Sequence, residues 1–196
     1  MDNGLLLKIV NFFFEAGTSK NIVRSHLQFL RGVNDTVASH SFRTTIFGMI
    51  LAKLEGVDEG KVLKMCLLHD FPEIRTGDAN FLNAQYRQDR KGDEVKANAD
   101  QWQGLPVEKD VMAAMEEYET RKSKESIVAK DADVLDQIIL QIEHFAPGSY
   151  DLTRWHNHQA KKLQTASAKA IAELAVKTNP LEWLYKFSDE KQGKQP

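Results

Sequence analysis

One cysteine in 196 residues leaves this chain without the means to staple itself. Cys66 has no partner for an intramolecular disulfide. Its surroundings, Val62-Leu63-Lys64-Met65-Cys66-Leu67-Leu68, are those of a buried, inert thiol. With no export signal, the expected compartment is the reducing cytoplasm. An excess of one charge is missing too. Lys and Arg number 26 against 28 Asp and Glu, so the net charge of −2 builds no broad field for nucleic acid or an anionic membrane. A small anion would need a local cationic pocket or a metal. No apolar run is long enough to span a bilayer: Leu5 to Phe14 is short and broken by Lys8 and Asn11. That stretch also lacks the basic start and small-residue cleavage site of a signal peptide.

Alternating strand patterns, internal repeats and long linkers are absent as well, and helical periodicity dominates. The length suits one domain with its own core. The expectation is therefore an all-α helical bundle, a single domain over 1–196. Its core lies at about 5–145, with C-terminal helices at about 158–187 and a frayed tail at 190–196.

Leu5, Leu6, Ile9, Val10, Phe13 and Phe14 recur at helical spacing, predicting a first helix that docks this face on the body. Phe42, Ile46, Met49, Ile50 and Leu54 predict a core-facing helix over Ser39 to Leu54, ended by Glu55-Gly56. Asp58 is a natural N-cap for a helix through Leu68. Gly32-Val33-Asn34-Asp35 marks a loop, and Pro72 and Gly77 punctuate a weak stretch to Asn83. Tyr86 to Val95 reads as an exposed connection or solvated helix. Leu105-Pro106 opens a helix to about Thr120. Ser123 to Phe145 is a long apolar helix, broken by Pro147-Gly148. One further helix is expected over His158 to Lys177, then a short one after Asn179-Pro180.

Four segments carry chemistry: Val37-Ala38-Ser39-His40-Ser41, Leu68-His69-Asp70, Glu73-Ile74-Arg75-Thr76-Gly77-Asp78, and Lys130-Asp131-Ala132-Asp133-Val134-Leu135-Asp136. Neutral imidazoles and carboxylates together suit a borderline divalent cation. His69 and Asp70 end an otherwise apolar helix, where polar groups are costly unless paired or ligating. Singly, each signal is weak. A His-Asp pair at a helix end needs no metal, His40 alone fits a satisfied core histidine, and Asp133 alone fits a helix start. The ordered set changes the balance.

That set resembles the HD-domain metal-dependent phosphohydrolases. His40, then His69-Asp70, then Asp133 in an Ala-Asp-x-Leu context is similar to their H…HD…D signature. The run His69-Asp70-x-x-Glu73-x-x-Thr76-Gly77-Asp78 resembles the branch of bacterial 5′-deoxynucleotidases. The resemblance covers about Leu5 to Phe145. It implies that His40, His69, Asp70 and Asp133 bind one divalent cation, with cobalt, manganese or magnesium as the usual metals. It also implies that Glu73 and Asp78 are the catalytic carboxylates. The chemistry agrees: a divalent ion lowers the pKa of a water, and a nearby carboxylate orients it or moves its proton.

A phosphate also needs cations around its oxygens. Arg24 and Arg31 lie where the deoxynucleotidase branch has a phosphate-gripping Arg followed by Trp. Here Arg24 is followed by Ser25-His26 and Arg31 by Gly32, so deoxyribose selectivity does not carry over. Arg43 follows His40 by one helical turn and Arg75 lies inside the second motif; a plain salt bridge competes for both. Glu117 resembles another acidic family position near the site, although Glu116, Glu117 and Glu119 together look like a solvated face. After Asp78 the chain departs again, with Asn80, Asn83 and Tyr86 in place of the branch's Pro and Lys residues. His156 and His158 diverge on a helix and make no second metal site, and His144 suits a helix-end cap. Trp102, Trp155 and Trp183 suit packing better than base stacking.

The expected activity is hydrolysis of a small phosphorylated substrate, a nucleoside or deoxynucleoside 5′-monophosphate, without nucleic-acid or membrane partners. Homodimerisation is common among similar proteins, and the Phe-rich first helix or the C-terminal helices offer a patch for it. The alternatives are another HD-type hydrolase acting on diesters, alarmones or triphosphates, or a non-catalytic metal- or nucleotide-binding module. Two-metal diesterases generally need further histidines before the last Asp, and none occurs from Phe71 to Ala132.

Overall fold

The computed structural model describes residues 2–30, 34–144 and 153–192. Helix α1 (Asn3–Gly17) starts at Asp2, whose carboxylate accepts the amides of Gly4 and Leu5. Its inner face matches the expected one only in part, at Leu5 and Ile9. Ile9 and Phe12 pack against the core, with the Phe12 ring centroid 4.6 Å from Trp102 and 5.5 Å from Phe71, while Leu6, Val10, Phe13 and Phe14 are exposed. Two 3-10 turns follow, Thr18–Asn21 and Ser25–Phe29. Between them the chain runs beside the start of the next helix. Val23 and Thr36 form an isolated antiparallel bridge, and the Arg24 amide donates to Asp35 O at 3.1 Å.

Helix α2 (Val37–Glu55) opens on a capping box between Thr36 and Ser39 and closes on Gly56 at φ 67°. Its orientation corrects the sequence-based expectation. Phe42, Ile50 and Leu54 are 66%, 50% and 60% exposed, and Ile46 and Met49 also face outward. The buried face is Val37, His40, Ser41, Thr44, Gly48, Leu51 and Ala52. Its neighbours explain the choice. A Cβ on Gly48 would stand 2.6 Å from Cys66 Sγ, so only a small residue lets α2 approach the following helix this closely.

Helix α3 (Glu59–Leu68) is capped by Asp58, as expected, and carries Cys66 fully buried. The weak stretch contains two single-turn helices, α4 (Glu73–Thr76) and α5 (Phe81–Ala84). The helix of α3 therefore does not run on to Glu73; it stops at His69 and re-forms after Pro72. Helix α6 (Arg90–Trp102) extends well beyond the solvated segment expected there, and its end buries Ala97, Asn98, Gln101 and Trp102. Helix α7 (Glu108–Thr120) begins after Pro106 rather than on it. The long helix α8 (Lys124–Glu143) starts at the Ser123 cap and buries Asp131, Asp133 and Asp136 among Val128, Leu135 and Ile138.

The single helix expected over His158 to Lys177 is two, α9 (Thr153–Ala160) and α10 (Ala166–Ala175). The Asp131 carboxylate causes the break: it accepts the amides of Gln164 and Thr165 at 3.0 and 2.7 Å, donors that a continuous helix would use internally. Helix α11 (Glu182–Gln192) runs past the position where fraying was expected. Pro147-Gly148, Gly32-Val33 and 193–196 lie outside the described residues.

Helices α2, α3 and α8 pack against one another, with α7, α9 and α10 on α8. One apolar cluster joins them through Leu51, Val62, Met65, Met115, Leu135 and Ile138. Among the described residues no strand forms, and no helix is long and apolar enough to cross a membrane.

Candidate metal and phosphate site

At one edge of the α2–α3–α8 trio the interior turns polar. His40 comes from the first turn of α2, His69 and Asp70 from the end of α3, and Asp133 from the middle of α8. The His40 and His69 Nε2 atoms stand 3.2 Å apart. Asp133 Oδ1 lies 3.3 Å from His40 Nε2 and 3.8 Å from His69 Nε2, and Asp70 Oδ2 lies 3.4 and 3.3 Å from them. Donors held by one divalent ion at tetrahedral or octahedral angles stand about 3.0–3.5 Å apart. The group therefore fits such an ion. His40, His69 and Asp133 form the mutually adjacent set, and Asp70 meets both histidines from the side.

The imidazoles are oriented for this. His40 Nδ1 lies 2.7 Å from Asp136 Oδ2, and His69 Nδ1 lies 2.9 Å from the carbonyl of Cys66. Both partners only accept, so each Nδ1 carries a proton and each Nε2 is the nitrogen turned to the centre. Burial and the Arg24 charge push the His40 imidazole down, but its hydrogen bonds to Asp133 and Asp136 outweigh them and raise it to about 9, so an ion at Nε2 would displace a proton there.

Three further charges complete the cluster. Arg24, held by the bridge beside α2, lies under the carboxylates: its Nη1 is 2.5 Å from Asp70 Oδ2, 3.4 Å from Glu73 Oε2 and 3.7 Å from Asp78 Oδ1. Burial opposes its charge, yet Asp70, Asp78 and Glu73 raise the guanidinium above its usual value. Gly77, at φ 74°, takes a turn that other residues rarely adopt and thereby swings Asp78 into the site. There the Asp78 carboxylate accepts the amide of Ser25. Asn80 Nδ2 donates to the Ser25 carbonyl at 2.9 Å, fixing both loops together. The two acids diverge: burial, with Asp70 and Asp78 beside it, pushes Glu73 well above the usual carboxylate range. Burial also works against Asp78, but Arg24 and the Ser25 amide hold it below that range.

The structure thus brings together His40, His69, Asp70, Asp133, Glu73, Asp78 and Arg24. It does not bring in the other candidates. Arg43 lies behind His40, its Nε 2.6 Å from Asp136 Oδ1 and its Nη1 on Glu143. Arg75 points away to α1, in a paired contact with Glu15 at 2.6 and 2.8 Å. Glu117, half-buried, turns toward α3 and pairs with Lys61 at 3.6 Å. Arg31 lies outside the described residues.

Other residues reach the site with no signal in the sequence strong enough to single them out. Tyr118, the neighbour of Glu117, donates its hydroxyl to Asp133 Oδ2 at 3.4 Å and sets its ring beside His69. Lys130 pairs with Asp133 Oδ2 at 2.5 Å, a contact one helical turn away that spacing alone allowed. Arg90 Nη2 approaches Glu73 Oε1 at 3.7 Å. A cavity of about 270 Å³ opens over the cluster, walled by Arg24, Asp70, Glu73 and Asp133 on one side and by Trp155, Gln159 and Lys162 on the other. Trp155 is therefore not simply a packing residue. Two other tryptophans stay out: Trp102 is in the core and Trp183 is exposed.

A helical bundle holding a His/Asp cluster beside buried acids and a buried arginine defines a class of metal-dependent phosphohydrolases. The chain belongs to the HD domain family, whose model matches residues 16–175. It is 28% identical over 119 residues to the 5′-deoxynucleotidase HDDC2 of Dictyostelium discoideum, 56% of this chain and 63% of that protein. The chain thus spans less than two thirds of that relative. A solved protein of Pyrococcus furiosus, described as a conserved hypothetical protein, shares 27% identity at a TM-score of 0.70, over 86% of this chain and 99% of its own. One from Magnetospirillum magnetotacticum, described as a predicted metal-dependent phosphohydrolase, has the same fold at 24% identity and a TM-score of 0.69, over 88% and 91%.

Proposed function

We propose that this protein hydrolyses nucleoside or deoxynucleoside 5′-monophosphates to nucleoside and phosphate, with one divalent ion held by His40, His69, Asp70 and Asp133. The observation that carries this is the convergence of that donor set with two buried acids of opposite tendency and a buried arginine in one cavity. The similarity to a 5′-deoxynucleotidase supports a nucleotide as substrate. Cobalt, manganese or magnesium would serve, polarising a phosphoryl oxygen and activating water.

This chain's own residues do the rest. Arg24, fixed by the bridge and by three carboxylates, grips phosphoryl oxygens as a charge-assisted donor. Asp78, ionised, orients the attacking water. Glu73, whose surroundings favour its protonated form, supplies a proton to the leaving 5′-oxygen. Two acids pushed apart by their surroundings are the usual division between base and acid. Tyr118 holds Asp133 from the core side and Lys130 from the cavity side, and Asp136 fixes the proton on His40 Nδ1 so that Nε2 is the nitrogen turned to the ion.

The test is phosphate release by metal-stripped protein from ribo- and deoxyribonucleoside 5′-monophosphates, with cobalt, manganese or magnesium added back and His69→Ala as control. Metal-dependent release that vanishes in the variant is expected. No release across the panel, with the ion bound, overturns the nucleotidase assignment and favours diesters, triphosphates or a binding role.

A further inference from the structure

The cavity over the metal cluster has a second wall, built by α9, that the phosphate chemistry does not use. Trp155 is half-buried there, nearly perpendicular to His26 at 6.3 Å and to Phe29 at 6.1 Å between ring centroids. Phe29 in turn stacks on Phe81 at 5.7 Å, and Phe81 also borders the cavity. The indole is thus held by two rings, one of them braced in turn by Phe81. One helical turn on, Gln159 is only 6% exposed and donates from Nε2 to Gln137 Oε1 at 2.8 Å. Its Oε1 is buried with no hydrogen-bond partner among the described residues.

Leaving a buried amide oxygen unmet costs about 1–3 kcal/mol, so an unmet one on a side chain that lines the cavity marks a place for a ligand donor. An aromatic face beside it accepts any nucleobase, since every base has a π-face. We propose that Trp155 and Gln159 form the nucleoside subsite of this enzyme. The base lies against Trp155, and an N–H or O–H of the nucleoside donates to Gln159 Oε1, while the 5′-phosphate points to Arg24 and the His/Asp cluster. The subsite rests on the nucleotidase assignment for the orientation of the ligand, but not for the binding of a nucleoside.

The experiment uses the full chain, loaded with metal, and two probes. Deoxyadenosine, which has no phosphate, is titrated by calorimetry, a readout that does not depend on the indole being replaced. Deoxyadenosine 5′-monophosphate is used for steady-state kinetics. Saturable binding of deoxyadenosine is expected, absent in Trp155→Leu and about tenfold weaker in affinity in Gln159→Leu. In both variants KM for the nucleotide should rise about tenfold while kcat changes less. Trp155→Phe, which keeps a ring, should recover most of the affinity and also reports on folding. Unchanged nucleoside affinity and KM in Trp155→Leu and Gln159→Leu, with phosphate still released, would overturn the subsite and leave the hydrolase assignment standing. Trp155-dependent binding of deoxyadenosine without phosphate release would do the reverse.

Discussion

The two faces of α2 invert the usual arrangement of a surface helix. Its inner face carries His40, Ser41 and Thr44 with small Gly48 and Ala52 between Val37 and Leu51, whereas its outer face carries Phe42, Ile46, Met49, Ile50 and Leu54. Helix α8 shows a related mixture, with Asp131, Asp133 and Asp136 buried among aliphatic residues. Hydrophobic periodicity marks the buried face only where the neighbouring interior is apolar. Here one edge of the interior is a charged site, and the space beside α3 admits almost no side chain. Polar and small residues therefore take most of the inner face, and apart from Val37 and Leu51 the large apolar ones lie toward the outside.

That contrast can be broken from the inside with large effects. His40→Ala removes a donor of the cluster. Phosphate release should fall by more than about 100-fold, since losing even a group behind a ligand costs ~10–100-fold. Loss of bound metal, measured by elemental analysis, should accompany it. Asp136→Ala frees the His40 ring and leaves Arg43 without its carboxylate partner; metal affinity, read by competition with a chromophoric chelator, should drop ~10–100-fold. Gly48→Ala forces a methyl against Cys66 and Val62, and chemical denaturation should show a loss of ~1–3 kcal/mol.

Changes outside sharpen the contrast by doing little. Ile46→Ser on the outer face should alter stability by no more than ~0.5 kcal/mol and leave metal content unchanged. The smallest expected effect concerns α1. The Arg75 hydrogen bonds hold the Glu15 carboxyl below its usual range. A group depressed in the folded state stabilises above its unfolded value, about 4, and loses that contribution as the pH falls. Both partners are partly solvated, so Glu15→Gln should cost well under ~1 kcal/mol at neutral pH and nothing in acid, as thermal melts across that range would show.

The all-helical fold was legible because helical spacing and caps such as Asp58 and Ser123 are local signals. So was the grouping of His40, His69, Asp70, Glu73, Asp78 and Asp133, whose order along the chain matches a known arrangement. Faces and long-range convergence were not. Arg43, Arg75 and Glu117 are near the right residues in sequence and point elsewhere, because a rotation of one residue on a helix moves a side chain by about 100°. Tyr118 shows the converse, reaching Asp133 from the position beside Glu117. Trp155 and Gln159 meet the cluster only through the packing of α9 on α8, and no spacing within the sequence encodes that.

The most direct test of the account is the metal content of the purified protein. Elemental analysis after dialysis against excess cobalt or manganese should find about one ion per chain in the wild type and almost none in His69→Ala, with circular dichroism unchanged. An equal content in the two proteins would contradict a metal centre at this cluster, and with it the chemistry built upon it.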